Sequence, residues 1–545
     1  MGLKRPASCF SALLWLVAAL LVILGITGIV LVNQPNEYYC NPQEYAVVFD
    51  GGSSHTSMAV YQWLADTITE YGTGVASQLA FESSCGEAGI SSYADDPEGL
   101  VPGFEKCLET ASLVIPEYSH AKTPIFLGAT AGMRLLNVTD PDKSDAVMAV
   151  VRETLASSPF HLPYEKEQAT ILRGEKEGSS SWISANYLEA NLGVEPATGD
   201  VIHDLSPSEP IPVKPTFGAL DLGGASTQVT FIPDTPGDVP DEYLANLRLY
   251  GHEFDQYTYS FLCYGANEAR RRFEANLVKD SGFANVTLNP CSPVGYSYEL
   301  TGDYLWKAPC SKGPIAMEGW GSETTSAPGV SEDDMEVMTY TLKGTGDAKQ
   351  CYNLSKTLFD FDAKCDKPPC SFNGVYTPLP HGSFKALSTY AYTAVGIGMP
   401  SKPTIEEFNT AGDDFCVKTY DELKNLPDKM KYKVTYCFQI MYIKALLFDA
   451  FKFDASNWEI DFTLQVNDVD LGWLLGFTIN ATNWVPLEQA CVGINSSTSI
   501  GLLIIFIIIL VVGLLLLLHK LYRECLAVEG GESYQRAPSK PADKA

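Results

Sequence analysis

The chain predicts a two-lobed α/β fold with its working site between the lobes, and two matched loops are the observation that predicts it. Asp50-Gly51-Gly52-Ser53-Ser54-His55-Thr56 and Asp221-Leu222-Gly223-Gly224-Ala225-Ser226-Thr227 repeat one chemical plan 171 residues apart. Each follows an apolar strand (Tyr45 to Phe49; Phe217 to Leu220) and precedes another (Ser57 to Tyr61; Gln228 to Phe231). Each therefore reads as a strand–turn–strand hairpin with an Asp at its mouth. Glycines let a backbone approach a phosphate without a Cβ in the way, and clustered N–H groups and hydroxyls hold its oxygens. The Asp would repel phosphate, so it suits a divalent cation or the waters of one. A single Asp-Gly-Gly is an ordinary hairpin turn. A matched pair, flanked by strands and with Ser/Thr in the same places, reads as a duplicated clamp for a polyphosphate. One such hairpin per half is the plan of actin-like (RNase H-like) folds, with the site in the interlobe cleft.

Composition places the chain at a membrane. Phe10 to Val32 is a 23-residue apolar run preceded by Lys4 and Arg5, and Ile500 to Leu518 is a second, followed by His519, Lys520 and Arg523. Both are long enough to span, and the flanking cations put both termini in the cytoplasm with the intervening chain outside. Two of the 14 cysteines, Cys9 and Cys525, fall at the cytoplasmic edges, which leaves an even twelve outside, where disulfides are expected. Connectivity stays open on spacing alone, although Cys85/Cys107, Cys365/Cys370 and Cys416/Cys437 are natural local pairs. N-glycosylation sequons begin at Asn137, Asn285, Asn353, Asn480 and Asn495, all between the spans; Asn495 lies closest to the membrane. The net charge of −29, from 66 acidic and 37 basic residues, excludes a nucleic-acid partner and requires a polyphosphate to arrive with a cation. Cys525 is a place for palmitoylation. Homo-oligomerisation through the transmembrane helices stays open, since neither carries a GxxxG motif.

Between the loops, Ile125 to Arg134 reads as a buried strand breaking into a small-residue turn and a helix, with Thr130 and Arg134 suited to phosphate. Ile171 to Gly178 leads into a helix carrying Trp182, Ile183, Tyr187 and Leu188. Phosphoanhydride hydrolysis needs a carboxylate that orients or deprotonates water, and Glu177, hemmed by glycines, suits that role. The alternative is that Glu175 and Glu177 only complement the helix dipole. Segments 198–216 and 312–350 read as exposed loops, and Ser388 to Tyr392 holds rings on which a nucleobase could stack. No Walker sequence, nucleophile elbow or zinc motif is present, which argues against a serine hydrolase or zinc enzyme.

In these motifs the chain resembles the ecto-nucleoside triphosphate diphosphohydrolases, or ecto-apyrases, of the two-span cell-surface kind. The resemblance rests on Asp50 to Thr56, Gly128 to Arg134, Gly174 to Gly178 with Trp182 and Asn186 to Leu188, Asp221 to Gln228, and Tyr436 to Phe438 with Tyr442 and Ile443. Gly89 to Tyr93 and Leu471 to Gly476 add to it. It implies extracellular hydrolysis of ATP, ADP and other nucleoside tri- and diphosphates to the monophosphate, using Ca²⁺ or Mg²⁺. It implies Glu177 as base, Ser226 and Gln228 on the attacking water and the cation's shell, and Asp50 and Asp221 on cation-bound waters. It places Ser53, Ser54, His55, Thr130, Ala131, Gly223, Gly224, Ala225 and Ser226 on the phosphates, and Tyr392 and Tyr432 at the base. It adds the pairs Cys263–Cys310 and Cys291–Cys351, which leaves Cys40 and Cys491 to pair with each other. It also implies a cytoplasmic N-terminus over 1–9, a transmembrane helix over 10–32 and a stalk over 33–43. Lobe I covers 44–174, lobe II 175–462, and 463–490 returns to lobe I. A stalk over 491–499, a transmembrane helix over 500–518 and a cytoplasmic tail over 519–545 complete the chain.

Two departures from the family pattern stand out. Lys176 replaces a usual Glu beside the base, where its charge could shift the base or the cation preference. Leu387 to Tyr392 and Gln439 to Met441 loosen the nucleobase region. The rival readings are a secretory-pathway diphosphatase acting on UDP or GDP, and a non-catalytic nucleotide-binding receptor. The receptor reading predicts decay at Glu177, Asp221 or Ser226, and all three are intact.

Overall fold

The computed structural model describes residues 7–32, 43–64, 75–86, 88–194, 214–311, 337–427, 429–482 and 496–532. Cys40, Cys491 and the Asn495 sequon lie outside them. The described residues form two compact units, one made of the terminal segments and one spanning Gln43 onward.

The terminal unit is a pair of helices, Ala7–Val32 and Ser496–Glu532. Each contains a segment long and apolar enough to cross a membrane, Leu13–Val30 and Gly501–Arg523. The two pack through small residues: Gly25 faces the backbone of Leu510, Gly28 the ring of Phe506, and Gly513 faces Val22.

The larger unit is built on two sheets of matching plan. In the first, β1 (Gln43–Gly51) and β2 (Thr56–Leu64) form an antiparallel hairpin, and β3 (Ser77–Glu82) lies outside β2. Helix α1 (Val101–Val114) precedes β4 (Ile125–Ala129), which runs parallel to β1. Helices α2 (Ala131–Thr139) and α3 (Pro141–Ala156) follow, then β5 (Ala169–Ile171) and α4 (Gly174–Leu188). The strand order is β3-β2-β1-β4-β5. The second sheet starts from the hairpin β6 (Gly218–Leu222) and β7 (Ser226–Phe231), extended on one side by β8 (Leu244–Leu249) and β9 (His252–Leu262). After α5 (Ala266–Asp280) comes a small sheet of β10 (Val286–Asn289), β11 (Ser297–Thr301) and β12 (Thr339–Gly344). β13 (Phe384–Ser388) runs parallel to β6, as β4 does to β1, and leads into α6 (Thr389–Ile397). Helix α7 (Tyr436–Lys444) precedes β14 (Ile460–Phe462), and α8 (Trp473–Ala481) closes the unit. The order β14-β13-β6-β7-β9-β8 repeats the first sheet with β8 added. The loop repeat seen in the sequence is therefore a repeat of whole half-folds, and Asp50 and Asp221 sit at corresponding places in their hairpins.

Helix α4 is buried along nearly its whole length, with Glu177 to Leu188 all inside. A helix apolar all round would suit that place, yet this one carries Ser179, Ser180, Ser181 and Ser184. Their small size allows close packing, and two of the hydroxyls are bonded: Ser181 Oγ donates to Asp221 Oδ2 at 2.9 Å, and Ser184 Oγ donates to the Ser180 carbonyl at 3.1 Å and accepts the Gly476 N–H at 2.8 Å, whereas Ser179 Oγ is buried without a partner among the described residues. Asn186 at its far end bonds the Phe217 carbonyl and N–H (2.9 and 2.7 Å), tying α4 to the strand that leads into the second loop. Five disulfides, Cys85–Cys107, Cys263–Cys310, Cys291–Cys351, Cys365–Cys370 and Cys416–Cys437, staple the unit.

The expected loop over 312–350 is corrected in part. Thr339–Gly344 is β12, held between β10 and β11 because Tyr340 and Leu342 alternate into the core, and a helix starts at Ala348.

Gly476 is where α8 crosses α4, and a Cβ there would lie 1.9 Å from the Ser180 carbonyl oxygen. Gly476→Val must separate the two helices and is expected to cost about 3 kcal/mol of stability. Thermal melting of the purified chain checks this, and an unchanged melting temperature contradicts it.

Candidate active site

The two hairpin loops face one another. A Cβ on Gly224 of the second loop would lie 2.6 Å from Ser53 Oγ of the first, and one on Gly132, in the first turn of α2, 3.0 Å from Ser53 Cα. At Gly132 the neighbour is backbone, so glycine serves the close approach there, while at Gly224 a Cβ would press on the Ser53 and Asn267 side chains. The first loop is fixed from below by the Thr130 N–H, which donates to the Gly51 carbonyl (2.9 Å). The second is fixed by α5, where the amides of Ala266 and Asn267 donate to the carbonyls of Gly223 and Gly224 (both 2.9 Å). Thr130 and Ala131 open α2 and are buried, while Ser54 and His55 are exposed at the loop tip, with Ser54 Oγ 3.4 Å from His55 Nδ1.

Beneath the loops the structure collects three carboxylates. Asp50 lies opposite Ser57 on β2 and Gly128 on β4; Asp221 lies opposite Gln228 on β7 and Leu387 on β13. Glu177 comes from the first turn of α4. Burial raises the pKa of all three. Asp50 is pushed well up, by desolvation first and then by the charges of Glu177 and Asp221. The Trp473 indole from α8 faces Asp50 without reaching hydrogen-bond geometry, so Asp50 Oδ1 is buried with no partner among the described residues. Asp221 is drawn back by the hydroxyls of Ser388 and Ser181, the latter at 2.9 Å. Glu177 is pushed up to about 7 by desolvation, with Arg134 pulling down against the charges of Asp221 and Glu175.

Arg134 organises the rest. Its guanidinium donates to Glu177 Oε2 (2.7 Å), Ser226 Oγ (3.0 Å) and Ser260 Oγ (3.3 Å). Gln228 Nε2 reaches the same three groups at 3.1, 2.8 and 2.9 Å. Both donors take Oε2 of Glu177, and among the described residues no donor reaches Oε1. Gln228 Oε1 is buried and also unpartnered among them. Arg134, suited by sequence to phosphate, lies against the Glu177 carboxylate, because α2 carries it over the start of α4. Lys176, expected to bear on the base, is exposed and is not among the charges that shift Glu177. Ser181, Ser260 and Trp473 were not singled out as site residues. Each lies in an element with no loop motif at that point, and only the fold brings it in.

Tyr392 and Tyr432 are both exposed and are electrostatic neighbours, whereas Tyr390, two residues before Tyr392, is buried. A separate cavity of about 670 Å³, lined by Phe217, Lys402, Trp458 and Asp461 among others, contains none of the loop residues.

Asp50 Oδ1 and Gln228 Oε1, buried and unpartnered beside carboxylates that repel one another, suit a divalent cation. Among the described residues no three His, Cys, Asp or Glu side chains group closely enough to ligate an ion directly.

Residues 37–494 match the GDA1/CD39 (nucleoside phosphatase) family. The chain belongs to that family. Similar family members include mouse ectonucleoside triphosphate diphosphohydrolase 2, 36% identical over 513 residues that cover 92% of this chain and 96% of the relative. Human ectonucleoside triphosphate diphosphohydrolase 3 is 34% identical over 481 residues, covering 88% and 85%. The fold is shared with the crystal structure of nucleoside triphosphate hydrolases from Neospora caninum, at a TM-score of 0.56 and 16% identity over 84% of this chain and 95% of that one. The paired sheets are therefore an actin-like two-lobed fold of this nucleoside phosphatase family.

An acid whose folded pKa lies above its unfolded value favours the fold while protonated and opposes it once ionised. For Glu177 the contribution is present below the ordinary value of 4.5 and is lost as pH rises to about 7, and Asp50 and Asp221 add in the same direction. With cation chelated, the melting temperature is expected to fall between pH 4.5 and 7. Glu177→Gln should flatten that fall, and an equal slope in the variant contradicts the assignment.

Proposed function

We propose that the chain cuts the terminal phosphate from nucleoside tri- and diphosphates, down to the monophosphate, by in-line attack of a water held at Glu177. The observation that carries this reading is the pair of facing glycine loops set directly above a buried, anchored carboxylate. Relatives named ectonucleoside triphosphate diphosphohydrolases support the substrate class.

Ser53, Ser54, His55, Thr130 and Ala131 on one side, with Gly223, Gly224 and Ala225 on the other, supply donors for the phosphate oxygens. Ser226 and Gln228 orient the attacking water. Glu177 Oε1 takes its proton, while Arg134 and Gln228 hold Oε2 and so fix the direction of the carboxylate. A divalent cation, Ca²⁺ or Mg²⁺, would be held through its waters by Asp50, Asp221 and Gln228 Oε1, and supplies neutralisation of the charge that builds on the phosphates. Tyr392 and Tyr432 would sandwich the base. The first lobe is assigned 44–174 with the returning segment 463–490, and the second 175–462. The terminal helices cross the plasma membrane, with both ends cytoplasmic and catalysis outside.

The test is cation-dependent phosphate release from added ATP and ADP by intact cells expressing the chain, beside Glu177→Gln. Wild type is expected to release phosphate, and the variant to lose at least about a hundredfold while reaching the surface in equal amount. Activity on UDP or GDP seen only after permeabilisation would favour the internal diphosphatase. Equal activity in the variant would remove Glu177 from the reaction.

A further inference from the structure

We propose that an N-linked oligosaccharide on Asn285 covers the outer edge of the small sheet and keeps β10 from pairing with a second copy of this chain. The proposal rests on the reading that this unit passes through the secretory pathway.

Among the described residues β10 is an edge strand: the sheet runs β10-β12-β11, and β10 pairs only with β12, in parallel. Edge strands offer a row of unpaired backbone groups, and soluble proteins guard them with charge, proline, bulges or a cover. The opposite edge of the same sheet, β11, turns Ser297, Glu299 and Thr301 outward. β10 turns outward Val286 and Leu288, 50% and 62% exposed. The strand Val286–Asn289 carries no charge and no proline, its exposed positions are apolar, and Pro290 follows directly after it. An uncharged edge with apolar exposed positions is open to pairing with another strand. β3 also exposes apolar residues, Leu79 and Phe81, at 37% each, but ends on Glu82.

What guards β10 is given by its first residues. Asn285-Val286-Thr287 is a sequon, and Asn285 is exposed immediately before the strand. Among the described sequons this position is distinctive, since Asn137, Asn353 and Asn480 all lie in helices. A bulky polar chain at Asn285 blocks strand addition without occupying any backbone group of β10. In the transfer, Asn285 Nδ2 attacks the anomeric carbon of a lipid-pyrophosphate-linked oligosaccharide. The N–C bond forms as the C–O bond to phosphate breaks, the lipid pyrophosphate leaves with the electron pair, and an amide proton passes to base. Thr287 Oγ1 is buried and paired with Ser281 Oγ at 2.9 Å, so the transfer precedes folding of this turn.

The test uses the full chain from a secretory eukaryotic host, solubilised in detergent, with peptide mass spectrometry at each sequon. Native enzymatic glycan removal is followed by size measurement of wild type and Val286→Lys/Leu288→Lys. Asn285 is expected to be occupied. Stripped wild type should rise at least about twofold in apparent mass while the stripped double variant keeps its size. Asn285→Gln should match stripped wild type. Asn285 bare while Asn137 or Asn353 is occupied overturns the proposal, as does wild type unchanged on stripping, or both proteins shifting alike. No glycan at any sequon overturns the secretory reading together with it.

Discussion

Three carboxylates buried within one another's fields are the constraint on which the rest of this structure depends. Each taken alone would rather be solvated or protonated, and together they raise one another's cost. The fold tolerates them because each is held by a different rigid element: Asp50 by β1, Asp221 by β6 and Glu177 by α4. The duplicated half-fold sets the two Asp residues at matching hairpins. The buried, serine-rich α4 then brings the third acid between them without a bulky side chain in the way. A site with this surplus of negative charge is poised for a polyvalent cation, and a polyphosphate carrying that cation converts the repulsion into binding.

Arg134 resolves what the cation does not. Its contact to Glu177 is a largely buried charge pair, and removing either partner is costly because it strands the other's charge. With Gln228 it also decides which carboxylate oxygen is available. A carboxylate held by two donors at Oε2 has little rotational freedom, so in the proposed reaction Oε1 would be presented to water in one direction. Positioning of that kind is a large part of what an enzyme can do for attack on a phosphoanhydride, where no covalent intermediate is required.

The loops and the strands around them were legible in the sequence because their chemistry is local: glycine, hydroxyl and Asp at fixed offsets between apolar runs. Helix α4 and the place of Glu177 at its start were legible for the same reason. Ser260 on β9 and Trp473 on α8 were not, since they reach the site across hydrogen-bonded strands and a late return of the chain that no spacing encodes. Arg134 was legible as an anion-seeking side chain, but its bond to Glu177 was not. Its residue type says only that it seeks an anion, and the tertiary packing of α2 over α4 chooses which one. β12 was taken for loop because a strand in a three-stranded satellite sheet needs only two buried residues, Tyr340 and Leu342, and shows a weak pattern.

Burial holds the pKa of Glu177 up to about 7, so near pH 6.5 this carboxylate is partly protonated, and a cation arriving beside it drives that proton off. Calorimetric titration of Ca²⁺ into the nucleotide-free protein near pH 6.5, in two buffers of different ionisation enthalpy, counts the protons released. The account predicts net proton release on binding, and less of it from Glu177→Gln. Binding with no proton release, or with the same release from the variant, would contradict it.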